Sequence, residues 1–155
     1  MSKLFLKRSD VEFVEEGNGL APKFNDDGLI PVVVIDFKSK DLLMHGYMNR
    51  EALELTINEG IAHYWSRSRK KLWRKGDTSG MIQKVREILI DDDQDAICLK
   101  VKVEGLGASC HVGYRSCFYR SIEKTSSEVL LKFLEHKKIF DPEDIYPGAE
   151  NPTKL

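Results

Sequence analysis

Twelve residues, Ser-Cys-His-Val-Gly-Tyr-Arg-Ser-Cys-Phe-Tyr-Arg at 109–120, hold two of the chain's three cysteines, one histidine and two arginines. Upstream, Asp91, Asp92, Asp93 and Asp95 place four carboxylates within five positions. Thiolates and imidazole suit zinc, whereas clustered carboxylates suit magnesium or calcium. Both ligand sets in one short chain point to metal held for chemistry.

Cys110-His111 and Cys117 form a C-H-x5-C segment, wider than the C-x-x-C knuckle of a structural zinc site. A loop of this size can bring two thiolates to one metal and leave positions open for an acidified water. The alternative is a pair of small buried thiols beside a hydrogen-bonded core histidine. Cys98 alternates with Lys100 and Lys102 and is read as packing, not as a ligand. Asp91, Asp93 and Asp95 share a face on extended backbone, about 7 Å apart, and repel one another unless a cation or solvent intervenes. An EF-hand needs Gly at position six and Glu at twelve; counting from Asp91 those places hold Ala96 and Lys102, which excludes it. A solvated acidic turn is the competing reading.

A third group is basic. Arg67, Arg69, Lys70, Lys71, Arg74 and Lys75 surround Trp73 and follow Trp65 and Ser66; Gly76-Asp77-Thr78-Ser79-Gly80 comes next. Arginine forks and the amides of a glycine-rich turn suit phosphate oxygens. A small phosphorylated ligand, a stacked single strand of nucleic acid and a plain solvated loop are all compatible with the segment. The formal net charge of -1 favours the small ligand over nucleic acid, and offers no field for an anionic membrane.

These groups must be carried by regular elements. The β-branched run at 30–37 predicts a buried strand with Pro31 near its start. Positions 41–48 predict its hairpin partner across Ser39-Lys40. Residues 50–59 predict a helix with Ala52, Leu53, Thr56 and Ile57 inward and Gly60 as its left-handed stop. Residues 61–68, 85–90 and 95–104 read as strands; in the last, Ile97, Leu99, Val101 and Val103 alternate with polar positions. Thr125-Ser126-Ser127-Glu128 has capping-box spacing, and Val129, Leu130, Phe133 and Leu134 follow at helical spacing, predicting a capping helix over about 126–137. An irregular tail follows at 141–155. The expectation is a small single α+β domain, 1–155, of antiparallel strands with two or more helices.

With 155 residues, 41% hydrophobic and 32% charged, the chain can bury one core. It has no apolar run of the roughly 18 residues a membrane span requires. The start, Met1 to Arg8, lacks the apolar region of a signal peptide, and three cysteines form no disulfide framework. A reducing cytoplasm is the expected location.

In order, Ser66-Arg67-Ser68-Arg69, 72–80 (Leu-Trp-Arg-Lys-Gly-Asp-Thr-Ser-Gly), 91–95 and 110–120 resemble the phosphoribosyl-AMP cyclohydrolases of histidine biosynthesis. Gly28-Leu29-Ile30-Pro31 and 46–53 add to the likeness, which covers roughly 27–121. The resemblance implies an intertwined homodimer with active sites at the subunit interface. It implies zinc on Cys110 and Cys117, and magnesium on Asp91, Asp93 and Asp95. Trp65, Ser66, Arg67, Arg69, Lys75, Thr78, Ser79 and Arg115 would bind a phosphorylated nucleotide, and His111 would move a proton. The implied reaction opens the adenine ring at N1–C6, with a zinc-activated hydroxide attacking C6.

Two positions depart from the family pattern. Asp77 replaces the usual Glu, and Asp92 replaces the cysteine that is the usual third zinc ligand. Asp92 can ligate zinc itself as a harder donor. Alternatively His111 or a water fills the place, or the chain is a divergent paralogue that binds a nucleotide without this turnover. No fused second domain is expected from the length after Asp141.

Overall fold

The computed structural model describes residues 4–155. Met1, Ser2 and Lys3, part of the start examined for a leader, lie outside the described residues. Two hairpins laid side by side make the main sheet. The first pairs β1 (Ile30–Asp36) with β2 (Leu42–Met48), and the second pairs β5 (Gln83–Ile90) with β6 (Ile97–Val103). The order is β2-β1-β6-β5. The seam between the hairpins is parallel, Val32 facing Ile97 and Asp36 facing Val101; every other pairing among the described strands is antiparallel, so the antiparallel expectation fails only at this seam. The reason is burial. β1 and β6 carry the most apolar inward faces, with Ile30, Val32, Val34, Ile97, Leu99 and Val101 all buried, so they take the centre. Leaving them at the edges would keep this apolar surface in water, at about 25 cal/mol per Å².

Between β2 and β5 run α2 (Arg50–Glu59), β3 (His63–Ser66) and β4 (Lys71–Arg74). Asn49 caps α2 by accepting the Ala52 N–H, and Gly60 ends it at φ 69°. Ala52, Leu53 and Thr56 face Tyr64, Leu43 and Met48 in one core. β3 is shorter than expected, and the presumed basic loop contains β4, which pairs Tyr64 with Trp73. Before the sheet lies α1 (Val11–Glu16), a helix not expected from the sequence pattern, with Asp10 as its N-cap.

The helix expected over 126–137 is absent: β7 (Arg120–Lys124) pairs with β8 (Val129–Phe133) as a hairpin. The supposed capping residue is the cause. Thr125 Oγ1 accepts the N–H groups of Ser127 and Glu128, and Thr125 N–H donates to Glu128 O at 2.8 Å. The same side chain that would cap a helix closes a four-residue turn instead. In the expected irregular tail, α3 (Pro142–Ile145) is a single turn capped by Asp141.

Candidate metal and phosphate site

Cys110 and Cys117 meet in the loop after β6. Cys110 N–H donates to Tyr114 O at 3.3 Å, Ser109 N–H to Arg115 O at 3.0 Å, and Cys117 N–H to Leu43 O at 2.7 Å. The loop folds tightly at Gly113, where φ is 111° and an added Cβ would lie 2.2 Å from Phe140 O. The thiols share one negative charge. The hydrogen bond with Cys117 pulls Cys110 down to about 6 against its burial, aided by backbone N–H groups of Val112 and Tyr114 and by the Lys75 cation. The same bond, with desolvation of the sulfur although the residue as a whole is exposed, pushes Cys117 up. A thiolate of this kind is the donor a soft divalent cation selects.

Lys75 enters this loop. Its Nζ donates to Ser109 O at 2.9 Å, and Cys117 Sγ lies 3.9 Å from the same oxygen. Burial lowers the Lys75 pKa, opposed by the attraction of Cys117 and Cys110. Behind it, the Tyr64 hydroxyl donates to Gln83 Oε1, and Gln83 Nε2 reaches Ser109 Oγ at 3.3 Å. His111 is half-buried; burial lowers its pKa against a contact from the Asn151 side chain. Its Nε2 is buried with no hydrogen-bond partner among the described residues. An orphaned ring nitrogen on the residue that follows Cys110 is available to a proton or a ligand.

The acidic turn is a second centre. Asp91, Asp93 and Asp95 each offer an oxygen within 4.8 Å of the others, the one such group among the described residues. Asp91 Oδ1 accepts from Asp95 N–H and Ala96 N–H, while Asp93 and Asp91 raise the Asp95 pKa. Crowded carboxylates of this kind fit a hard cation. Gln94 (φ 59°) anchors the turn: its Oε1 accepts Ala21 N–H, and its Nε2 donates to Val14 O and Gly19 O. Arg8 adds a bond to Asp93 O at 2.8 Å.

The basic group lines β3, β4 and the turns that follow. Ser66 Oγ accepts Arg69 N–H, Arg67 lies 4.1 Å over the Tyr47 ring, and Ser79 Oγ accepts Met81 N–H. Arg67, Arg69 and Thr78 are exposed, and Trp65, Ser66 and Ser79 are half-buried. Ser68 and Arg69 share a cavity of about 140 Å³ with Glu150, Asn151, Pro152 and Lys154 of the tail.

Residues 44–119 match the family described as phosphoribosyl-AMP cyclohydrolase. A protein of that name from Rhizobium leguminosarum is 47% identical over 94% of this chain and 99% of its own length. Others so named, from Agrobacterium fabrum and Brucella canis, are 48% and 54% identical over 91% and 79% of this chain, and over 94% and 88% of their own lengths. The chain belongs to the phosphoribosyl-AMP cyclohydrolase family.

Within this cyclohydrolase fold, Cys110, Cys117 and Lys75 come together, with His111 next to Cys110 in the chain but with neither ring nitrogen completing a ligand group with the two thiols, and Asp91, Asp93 and Asp95 come together. Asp92 does not join the thiols. Among the described residues no third His, Cys, Asp or Glu atom completes a group with them, and Asp92 is exposed, lining a cleft with Gly17, Asn18 and Gly19. Lys75, expected among the substrate-binding residues, has its Nζ on Ser109 O in the cysteine loop. Arg115 is also engaged elsewhere, bonding Asp41 at 2.9 Å and Ser39 at 3.1 Å and lying 3.6 Å from Asp36. Backbone N–H groups of Ser39 and Lys38, with Arg115, hold the Asp36 carboxyl below its usual range. Asp77, the shorter replacement, accepts from Arg74 Nε at 2.6 Å. Gln94, Glu135 and Asn151 carry parts of these centres without having been singled out. Only Gln94 gave a signal, as the lone amide within a run of carboxylates.

Proposed function

We propose that the protein is a phosphoribosyl-AMP cyclohydrolase acting in histidine biosynthesis, adding water to C6 of the adenine ring and breaking N1–C6. The observation that carries this reading is the Cys110–Cys117 pair. It lies beside half-buried Lys75, whose Nζ bonds Ser109 O, and next in the chain to His111, whose Nε2 has no hydrogen-bond partner among the described residues, inside the segment matching the family. Cys110 and Cys117 would hold zinc, and Asp91, Asp93 and Asp95 would hold magnesium. Zinc, when bound, acidifies a water and so supplies the nucleophile at neutral pH. Neutral His111, kept so by burial, takes a proton at Nε2 as water adds to C6 and passes it to the departing N1. Lys75 steadies the anionic thiol pair. Ser66, Arg67, Arg69, Thr78 and Ser79, with Trp65 beside them, receive the two phosphates and the nucleoside. Free thiols of this kind suit a reducing cytoplasm.

A homodimer with its sites at the subunit interface accounts for the missing third ligand, with the partner's Asp92 as the candidate. The decisive experiment strips the protein with chelator and resupplies zinc, magnesium, both or neither. Ring opening of phosphoribosyl-AMP, followed by absorbance, should return only with metal. The separation of Asp92 from the thiols favours one second reading, a nucleotide-binding relative without this turnover. Nucleotide binding with no product under any metal would select it.

A further inference from the structure

We infer that Glu135 is a positioning residue for the cysteine loop, holding the chain between the two thiols in the shape that presents them to a divalent cation. The inference rests on the cyclohydrolase reading for what the loop does, but on geometry alone for what Glu135 does. Its Oε1 accepts the Arg115 N–H at 2.9 Å, and its Oε2 accepts the Ser116 N–H at 3.0 Å. Both oxygens of one carboxylate therefore grip the two peptide groups just before Cys117. The next amide, that of Cys117, is bound by Leu43 O, so three consecutive N–H groups are fixed from two directions. Across the loop, Arg115 O and Tyr114 O accept from Ser109 and Cys110, which carries the restraint to the other thiol. Charge-assisted bonds to backbone N–H groups are among the stronger protein hydrogen bonds.

Glu135 is itself placed by the hairpin. Leu134 N–H donates to Tyr119 O at 2.7 Å, and Tyr119 stacks on Tyr114 at 3.9 Å, with Phe133 tilted against both rings. The β7–β8 hairpin thus returns the chain to the loop it left at Cys117 and delivers a carboxylate to it. Glu135 lies beyond the segment matching the family, 44–119. No side chain within that segment bonds the Arg115 or Ser116 N–H groups among the described residues.

The test uses the full chain as wild type, Glu135→Gln and Glu135→Ala, with Glu123→Gln on the same hairpin as control. Metal-free protein is titrated with Co²⁺ and read by thiolate-to-cobalt absorption, which reports the cysteines and not the acidic turn. Amide hydrogen exchange is measured at Arg115 and Ser116. Glu135→Ala should weaken cobalt binding by about 10–100-fold, the range for residues that orient metal ligands, and should speed exchange at both amides. Glu135→Gln keeps one acceptor oxygen and should fall between, and Glu123→Gln should match wild type. Wild-type cobalt affinity and unchanged exchange in folded Glu135→Ala would overturn the assignment; if that variant does not fold, the same result in Glu135→Gln would do so. Wild-type protein that binds cobalt but does not open phosphoribosyl-AMP would sink the hydrolase reading and leave this one standing.

Discussion

At the residue scale, donor type was legible and donor partnership was not. Asp91, Asp93 and Asp95 were expected to share a face on extended backbone; they sit instead on a tight turn through Gln94 at φ 59°, which curls their oxygens to within 4.8 Å of one another. Cys110 and Cys117 read as either a soft-metal loop or a pair of small buried thiols. Glu135 did not announce itself, and Gln94 showed only as an amide among carboxylates, because the partners lie elsewhere in the chain: Gln94 binds Ala21 across 73 positions. No local pattern encodes such a bond. The thiol pair gives a pH prediction. Cys110 is lowered to about 6, so metal-free protein should gain one thiolate, seen by ultraviolet absorption, as pH rises through that value. Cys117→Ser and Lys75→Met each remove a group that favours the anion, so each should move the transition upward. His111→Ala should cut turnover by about 10²–10⁴-fold, the usual share of general acid–base catalysis, with cobalt affinity close to wild type.

At the element scale, strands with one apolar face and the capped helix α2 were predictable, because burial and capping are local in sequence. The β7–β8 hairpin was not. Thr125, Val129 and Phe133 fit both a capped helix and a turn followed by a strand, and pairing with Arg120–Lys124 decides between them. Thr125→Ala should therefore cost about 1 kcal/mol in urea unfolding without changing helical content by circular dichroism. The acidic turn depends on its neighbour in the same way. Gln94→Ala leaves Ala21 N–H, Val14 O and Gly19 O without their partner. It should destabilise the protein by about 2–4 kcal/mol and weaken magnesium binding, measurable by denaturant unfolding and by calorimetric titration.

At the scale of the whole molecule, the described residues gather a pair of thiols and a trio of carboxylates, with no third His, Cys, Asp or Glu atom completing a group with the thiols. Subunit complementation checks the homodimer. Asp92→Ala and Cys110→Ser chains should each be inactive, and unfolding and refolding them together should restore turnover through mixed dimers in which one site is intact. Activity that stays absent in a confirmed mixed dimer would show that the sites are not shared. The parallel seam between β1 and β6 has a consequence for how the chain acquires its shape. Each flanking hairpin closes over a short loop, an event of about 1–10 μs. Joining them requires residues as distant as Val32 and Ile97 to meet, with α2, β3, β4 and β5 between. Loop-closure entropy makes that long-range meeting the slow event. Trimming the seam, as in Val34→Ala, should slow refolding, whereas trimming Met48 at the end of β2 should chiefly speed unfolding. The site residues at 91–95 and 110–117 are then assembled late, once the two halves of the sheet have found each other.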